Sequence, residues 1–368
     1  MKIAMMGHKR IPSREGGVEI VVTELATRLV SLGQSVTVYN RKGHHIAGEE
    51  YDSICTSYKG VNIKYVPTLK KRGLSAVTSS FCASCLIAFK DYDVVHIHAE
   101  GPALFCFIPK LFKKKVIVTI HGLDWKRSKW GGLASKYIRL GEYLAVKYAD
   151  HIIVLSQNTY EYFLNTYQRK TIFIPNGITQ PIIKASNQIT KKWGLTNNSY
   201  ILFLGRLVPE KGLEYLLQAW KNIASNKTLV IAGGHSDTEV FVTRLKSIAT
   251  SNVIFTGFVQ GEILEELYSN AYIYVLPSDV EGMPISLLEA MSYGNCCLVS
   301  DIPECIEVVE DKATTFRKSD VADLKNRLEE LINNEHIVNE YKEQASSYIC
   351  QKYNWNDITK KTLDLYRR

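Results

Sequence analysis

Strand-like and helix-like segments alternate along this 368-residue chain almost without pause. Short runs rich in Val and Ile, each followed by apolar residues at helical spacing, build parallel sheets joined by crossover helices. Lys2–Met6 reads as a strand. Val18, Val21, Leu25, Leu29 and Leu32 then recur at helical spacing, and Gly33 closes that helix. Further strands are expected over residues 36–39, Val61–Val66, Val94–His98, residues 116–120 and 152–155, and from Ile172 onward, with helices over residues 76–89 and 137–148. A polar stretch, residues 179–198, breaks the rhythm. It restarts at Tyr200–Leu204 and continues through 213–223 (helix), Thr228–Ala232, 253–256, 262–270 (helix) and 272–276. The pattern predicts two α/β domains, residues 1–180 and 181–368, joined through the polar stretch. Two such domains facing each other leave a cleft at the carboxyl ends of their sheets, where ligands bind. A last helical pattern at Trp355, Ile358, Thr362 and Leu365 suits either domain.

The totals fit a globular chain. Hydrophobic residues make up 46% and charged residues 22%, which excludes a disordered or fibrous class. No window reaches the roughly 18 apolar residues of a membrane span. Met1–Gly7 turns polar too soon for a signal peptide and reads as a first strand, so a cytoplasmic location is expected. Cys82 and Cys85 are spaced Cys-x-x-Cys, but no second pair answers them, and no disulfide or zinc framework follows. Net charge is +8 and unevenly spread: residues 1–180 hold 25 Lys+Arg against 13 Asp+Glu (+12), residues 181–368 hold 20 against 24 (−4). The basic residues cluster at Lys70, Lys71 and Arg72, at Lys110, at Lys113, Lys114 and Lys115, and at Lys126, Arg127 and Lys129. Leu111, Phe112, Trp125 and Trp130 are interleaved with them. Charge runs are ordinarily solvated faces. The functional reading is attraction to an anionic membrane surface or a polyanionic substrate. No nucleic-acid-binding motif accompanies the charge, so nucleic acid is not an expected partner.

Four strand-to-helix junctions carry candidate chemistry. At the first, Gly16 and Gly17 stand directly before a helix, where they let backbone N–H groups approach an anion. No Gly-x-Gly-x-x-Gly dinucleotide fingerprint occurs there. At the second, His121 follows the strand 116–120 and projects beyond the sheet, although a packed or capped histidine would look the same. His96 and His98 alternate along a strand, but no third ligand accompanies them and zinc is not expected. Asp91 and Asp93 flank a strand start, a placement too common to imply metal. At the third junction Arg206 and Lys211 precede a helix. There the planar fork of Arg and the point charge of Lys suit a diphosphate. At the fourth, the run Pro277-Ser-Asp-Val-Glu-Gly-Met-Pro-Ile-Ser-Leu-Leu-Glu289 places Glu281 in a loop and Glu289 on the following helix.

In this order, these elements resemble the retaining nucleotide-sugar glycosyltransferases of family 4, which have the GT-B fold of two Rossmann-like α/β domains. The resemblance covers essentially the whole chain. Its most specific parts are the Arg206/Lys211 segment and the Glu-x₇-Glu pair. The segments Ile11–Glu19 and Gly122–Trp130 are also similar to those of bacterial cell-surface polysaccharide glycosyltransferases, among whose activities is rhamnosyl transfer. The resemblance implies that Arg206 and Lys211 bind the diphosphate of a UDP-, dTDP- or GDP-sugar. The phosphate cradle would be completed around Gly282, Met283, Pro284 and Ile285. Glu289 would hold the ribose, Glu281 the sugar, and His121 would stand at the sugar's reacting face. Gly16 and Gly17 would close over the diphosphate. The basic N-terminal half would bind a lipid-diphosphate-linked saccharide acceptor at the inner membrane face. No metal or other cofactor is implied. A nucleotide-sugar epimerase and a non-catalytic nucleotide-sugar binder are the alternatives; an epimerase should lack the joint Arg/Lys and paired-glutamate pattern, and intact Arg206, Lys211, Glu281 and Glu289 argue against a decayed site.

Overall fold

The computed structural model describes residues 1–42, 55–69, 74–126, 132–234 and 239–368. It divides into two compact units. One comprises Met1–Gly177 together with Trp355–Arg368, and the other Ile178–Asn354.

The sheet of the first unit is built from β1 (Lys2–Met6), β2 (Ser35–Arg41), β3 (Ser57–Tyr58), β4 (Val61–Val66), β5 (Val94–His98), β6 (Lys115–Ile120), β7 (His151–Val154) and β8 (Ile172–Phe173). Their order is β3-β4-β2-β1-β5-β6-β7-β8. All neighbours are parallel except the two-residue strand β3, which lies antiparallel to β4. β5 is buried along its whole length and β6 in all but its first residue, as a parallel sheet covered on both faces requires. Val21, Val22, Leu25, Ala26 and Leu29 of the helix Gly17–Ser31 are buried.

The second unit holds β9 (Tyr200–Leu204), β10 (Thr228–Ala232), β11 (Val253–Gly257), β12 (Ile273–Leu276), β13 (Cys296–Ser300) and β14 (Thr314–Phe316). These pair in the order β11-β10-β9-β12-β13-β14, all parallel. Strand order in both sheets runs outward from the first strand, then back to its other side. The chain therefore reverses direction between β1 and β5 in one sheet and between β9 and β12 in the other. At such a switch point the flanking loops diverge and leave room for a ligand.

The polar residues 179–198 are part of the second unit, where Gln188–Trp193 forms a helix. Most of residues 179–198 are exposed or half-exposed, and the Glu266 carboxylate accepts from the backbone N–H of Asn187, Gln188 and Ile189 at 2.9, 2.7 and 3.0 Å. The last helix, Trp355–Arg367, belongs to the first unit, with Trp355, Ile358, Leu363, Leu365 and Tyr366 buried. Among the described residues no helix is long and apolar enough to cross a membrane.

Candidate active site

In the second unit the loops after β9 and β12 are stitched together. The backbone N–H of Asp279 donates to the Glu210 carbonyl at 2.9 Å. Gly212 has φ +67°, and a Cβ there would stand 1.8 Å from the Pro277 carbonyl oxygen, so only glycine permits this approach. The contact sets Lys211 beside Glu281: Nζ to Oε1 is 2.5 Å, with the two side chains only 13% and 9% exposed. Residues expected to address different parts of a ligand therefore form one charge pair. One carboxylate oxygen of Glu281, Oε2, is not engaged by Lys211. Arg206 is half-buried in the same loop as Lys211.

The helix Ile285–Ser292 starts from Pro284, which serves as N-cap in an extended conformation. Pro284 thus lies one position before the first helical turn. No side chain caps this helix. The Pro284 carbonyl takes the N–H groups of Leu287 and Leu288, and no N-cap side chain competes for those of Ile285 and Ser286. This leaves a helix N-terminus suited to an anion. Gly282, Met283, Pro284 and Ile285 are all buried. Glu289 lies on the inner side of the helix, with Oε2 accepting from the Tyr268 hydroxyl at 3.0 Å. Tyr268 stacks on Tyr293 at 5.3 Å. Below the first turn, the Tyr274 hydroxyl donates to Ser286 Oγ at 2.8 Å, and burial raises its pKa well above the ordinary phenol value. Sequence reading missed these tyrosine supports. The alternation Tyr272-Ile-Tyr274 in a buried strand was the available signal.

In the first unit, Gly16 is the N-cap of the helix Gly17–Ser31, again without a side-chain cap. The seat is partly occupied. Oε2 of Glu19 lies 2.5 Å from where a Gly16 Cβ would stand, and Glu19 Oε1 accepts from the Lys9 N–H at 2.8 Å. Glycine at 16 accommodates a protein carboxylate as well as any ligand. His121 follows β6 and is half-buried, its Nε2 3.0 Å from Nδ1 of His98. His98 and His96 are fully buried on β5. His96 lies 2.5 Å from the Tyr366 hydroxyl and 2.6 Å from Thr119 Oγ1. Both of its ring nitrogens are therefore engaged, and among the described residues no three potential metal ligands meet. Behind the loop that follows His121, Glu142 accepts from Trp125 Nε1 at 3.2 Å and from the hydroxyls of Tyr162 and Tyr167 at 2.8 and 2.5 Å. Its neighbour Glu100 is buried, and burial together with the charges of Asp124 and Glu142 pushes its carboxyl well above the usual range.

The expected basic face is reduced. Lys113 and Lys126 are exposed and Lys114 half-exposed. Lys115 does not join them: its Nζ donates to the carbonyls of Leu365 and Tyr366 at 3.1 and 3.0 Å and caps the last helix. Lys110 pairs with Asp150 at 2.5 Å. Lys70, Lys71, Arg72 and Arg127 lie outside the described residues.

Comparison with known proteins places this geometry. Residues 15–179 match the family described as Glycosyltransferase Family 4, and residues 186–349 match Glycosyl transferases group 1. The chain belongs to the glycosyltransferases that join these two domains, and its fold is GT-B. It is 28% identical to an uncharacterized glycosyltransferase of Methanocaldococcus jannaschii, over 100% of this chain and 98% of the relative. It is 24% identical to the O-antigen chain mannosyltransferase C of Escherichia coli, over 96% and 95% of the two. Anabaena HepE, solved with UDP-glucose, superposes with a TM-score of 0.81 at 16% identity and 99% coverage of both chains.

Proposed function

We propose that the chain is a retaining, metal-independent hexosyltransferase. It moves a sugar from a UDP-, dTDP- or GDP-sugar to a growing, lipid-diphosphate-linked bacterial surface saccharide. The observation that carries this reading is the Lys211–Glu281 pair beside an uncapped helix N-terminus at the β9/β12 switch point. A diphosphate in that position takes Lys211 and Arg206 as counterions and the N–H groups of Ile285 and Ser286 as donors. Glu289 binds the ribose hydroxyls and Glu281 the sugar hydroxyls. As the sugar–phosphate bond breaks, negative charge grows on the leaving oxygen, and the preorganised cations stabilise it. The acceptor hydroxyl attacks the same face and passes its proton to the departing phosphate, so no separate base is required.

The first unit supports a membrane-side acceptor. The helix Leu74–Ala88 carries no charged residue, and its outer positions Leu74, Phe81 and Leu86 are exposed, as is Phe89 beyond its end. Phe89 packs edge-on against Phe112 at 4.8 Å, and Lys90, Lys113 and Lys114 adjoin the pair in sequence. An exposed apolar face with a lysine rim suits an anionic bilayer surface. This supports a peripheral position at the inner face of the cell membrane.

Release of free nucleotide from a panel of nucleotide sugars, with and without lipid-linked acceptors, tests the reaction. Acceptor-dependent release from one donor is expected, and release from none of them would overturn it. Co-sedimentation with liposomes tests the acceptor side. Stronger binding to anionic than to neutral vesicles is expected, and equal binding removes the electrostatic argument.

A further inference from the structure

We propose that His98 is a positioning residue for His121. Through their 3.0 Å contact it donates from Nδ1 and holds the His121 ring with Nε2 as acceptor and the proton on Nδ1. The catalytic meaning of this rests on the reading of His121 as the residue at the sugar's reacting face; the proton placement itself does not.

The argument begins with the far side of His98. The residue is fully buried, and its Nε2 meets no hydrogen-bond partner. Were the proton on Nε2, a donor sealed from water would go unmatched, a defect that costs on the order of 1–3 kcal/mol and is rarer in proteins than an unmatched acceptor. With the proton on Nδ1, His98 donates to His121 Nε2, and only a lone pair is left facing the interior. A neutral His121 that accepts on Nε2 must carry its own proton on Nδ1.

The donor ring is held in turn. His96 stacks on His98 with ring centroids 4.1 Å apart and planes tilted by 32°. His96 is itself pinned at both nitrogens by Tyr366 and Thr119. Burial, with the neighbouring histidines, keeps the pKa of His98 well below the usual value, and burial together with His121 brings that of His96 down to about 3. Both rings stay neutral at working pH. The backbone under His98 is equally constrained, since a Cβ on Gly7 would stand 2.2 Å from the His98 carbonyl oxygen. The last helix, through Tyr366, thereby reaches His121 by way of two stacked rings. A ring locked in one tautomer presents one fixed face to a ligand, which is the supporting arrangement that precise sites require.

Ring nitrogen NMR of 15N-histidine-labelled protein reads the proton directly, with the His121 resonances assigned by their loss in His121→Gln. In the wild-type protein Nδ1 of His121 should resonate as protonated and Nε2 as an unprotonated acceptor. The opposite pattern overturns the proposal without any variant. His98→Phe keeps a ring against His96 and removes the donor. It should release His121 toward the Nε2–H form that free imidazole favours, with little change in melting temperature. An unchanged His121 pattern in a folded His98→Phe protein also overturns the proposal. If instead the tautomer responds while His121→Gln leaves turnover intact, the positioning stands and the sugar-side role of His121 falls.

Discussion

Between β9 and β12 of the second unit a lysine and a glutamate stand in contact, largely withdrawn from water. At the carboxyl edge of the first unit's sheet stand His8 after β1, His98 at the end of β5 and His121 after β6. Burial holds the first of these at a pKa of about 4 and the second well below the usual value. One strand order thus carries two electrostatic environments. Topology decides where a ligand can sit, and side chains at the loop ends decide whether that place favours an anion or a neutral, hydroxyl-rich group. Charge is concentrated in the loops after β9 and β12, where the proposed reaction releases a diphosphate. On the histidine side, the buried rings of His8 and His98 supply shape and hydrogen bonds as neutral groups.

The largest effect expected from this contrast is on turnover. Lys211→Ala should lower it by on the order of 10²-fold or more, as removal of a preorganised charge-stabilising group does. Near-normal turnover at saturating donor would remove Lys211 from the reaction. A sharper division concerns the glutamates. Glu289→Ala should weaken nucleotide binding by about tenfold or more, since a hydrogen bond to a carboxylate contributes roughly 1.5–3 kcal/mol. Glu281→Ala should mainly slow transfer. Calorimetric nucleotide titration beside initial rates separates the two, and identical profiles would erase the distinction.

The smallest effect is on stability, and it reverses the emphasis. His8 and His96 have folded pKa values of about 4 and about 3, both depressed by burial below the unfolded value of about 6.5. Between those limits the unfolded chain binds protons that the folded chain does not, so stability falls as pH drops below 6.5. Each group contributes at most about 1.4 kcal/mol per pH unit in that window. Among the described residues the second unit has no buried histidine. Hydrogen exchange at pH 7 and pH 5, corrected for intrinsic rates, should show the first unit losing protection first. Equal losses in both units would contradict the assignment of these neutral rings.

The frame of the molecule was legible because it is written locally. Apolar runs such as Val94–His98 and Tyr200–Leu204 stand in the sequence as they stand in the sheets, and the loops holding Arg206, Lys211 and Glu281 fall at strand ends as their spacing implies. Contacts between distant segments were not legible. Lys211 meets Glu281 across 70 positions and His96 meets Tyr366 across 270, and no periodicity encodes such pairings. β3 and β14, with two and three residues, are too short for alternation to show. Residues 179–198 looked like a connection because a solvated polar stretch on the surface of a unit has the same composition as one that joins two units. Lys115 belonged to a basic run by sequence and to a helix cap by structure, since adjacent lysines on a twisting backbone point different ways.

The helix Trp355–Arg367 completes the first unit, although the chain enters it only after all of the second unit has been laid down. On a ribosome, residues 1–177 therefore wait with the seat of Trp355 and Tyr366 unfilled while residues 178–354 are made. Arg28 has no indole to lie over until then. In order of manufacture, the second unit is an insertion, and the first is the one whose assembly is delayed. A cut made just before Trp355 would leave the second unit's own sheet whole and damage the unit that had seemed finished half a chain earlier.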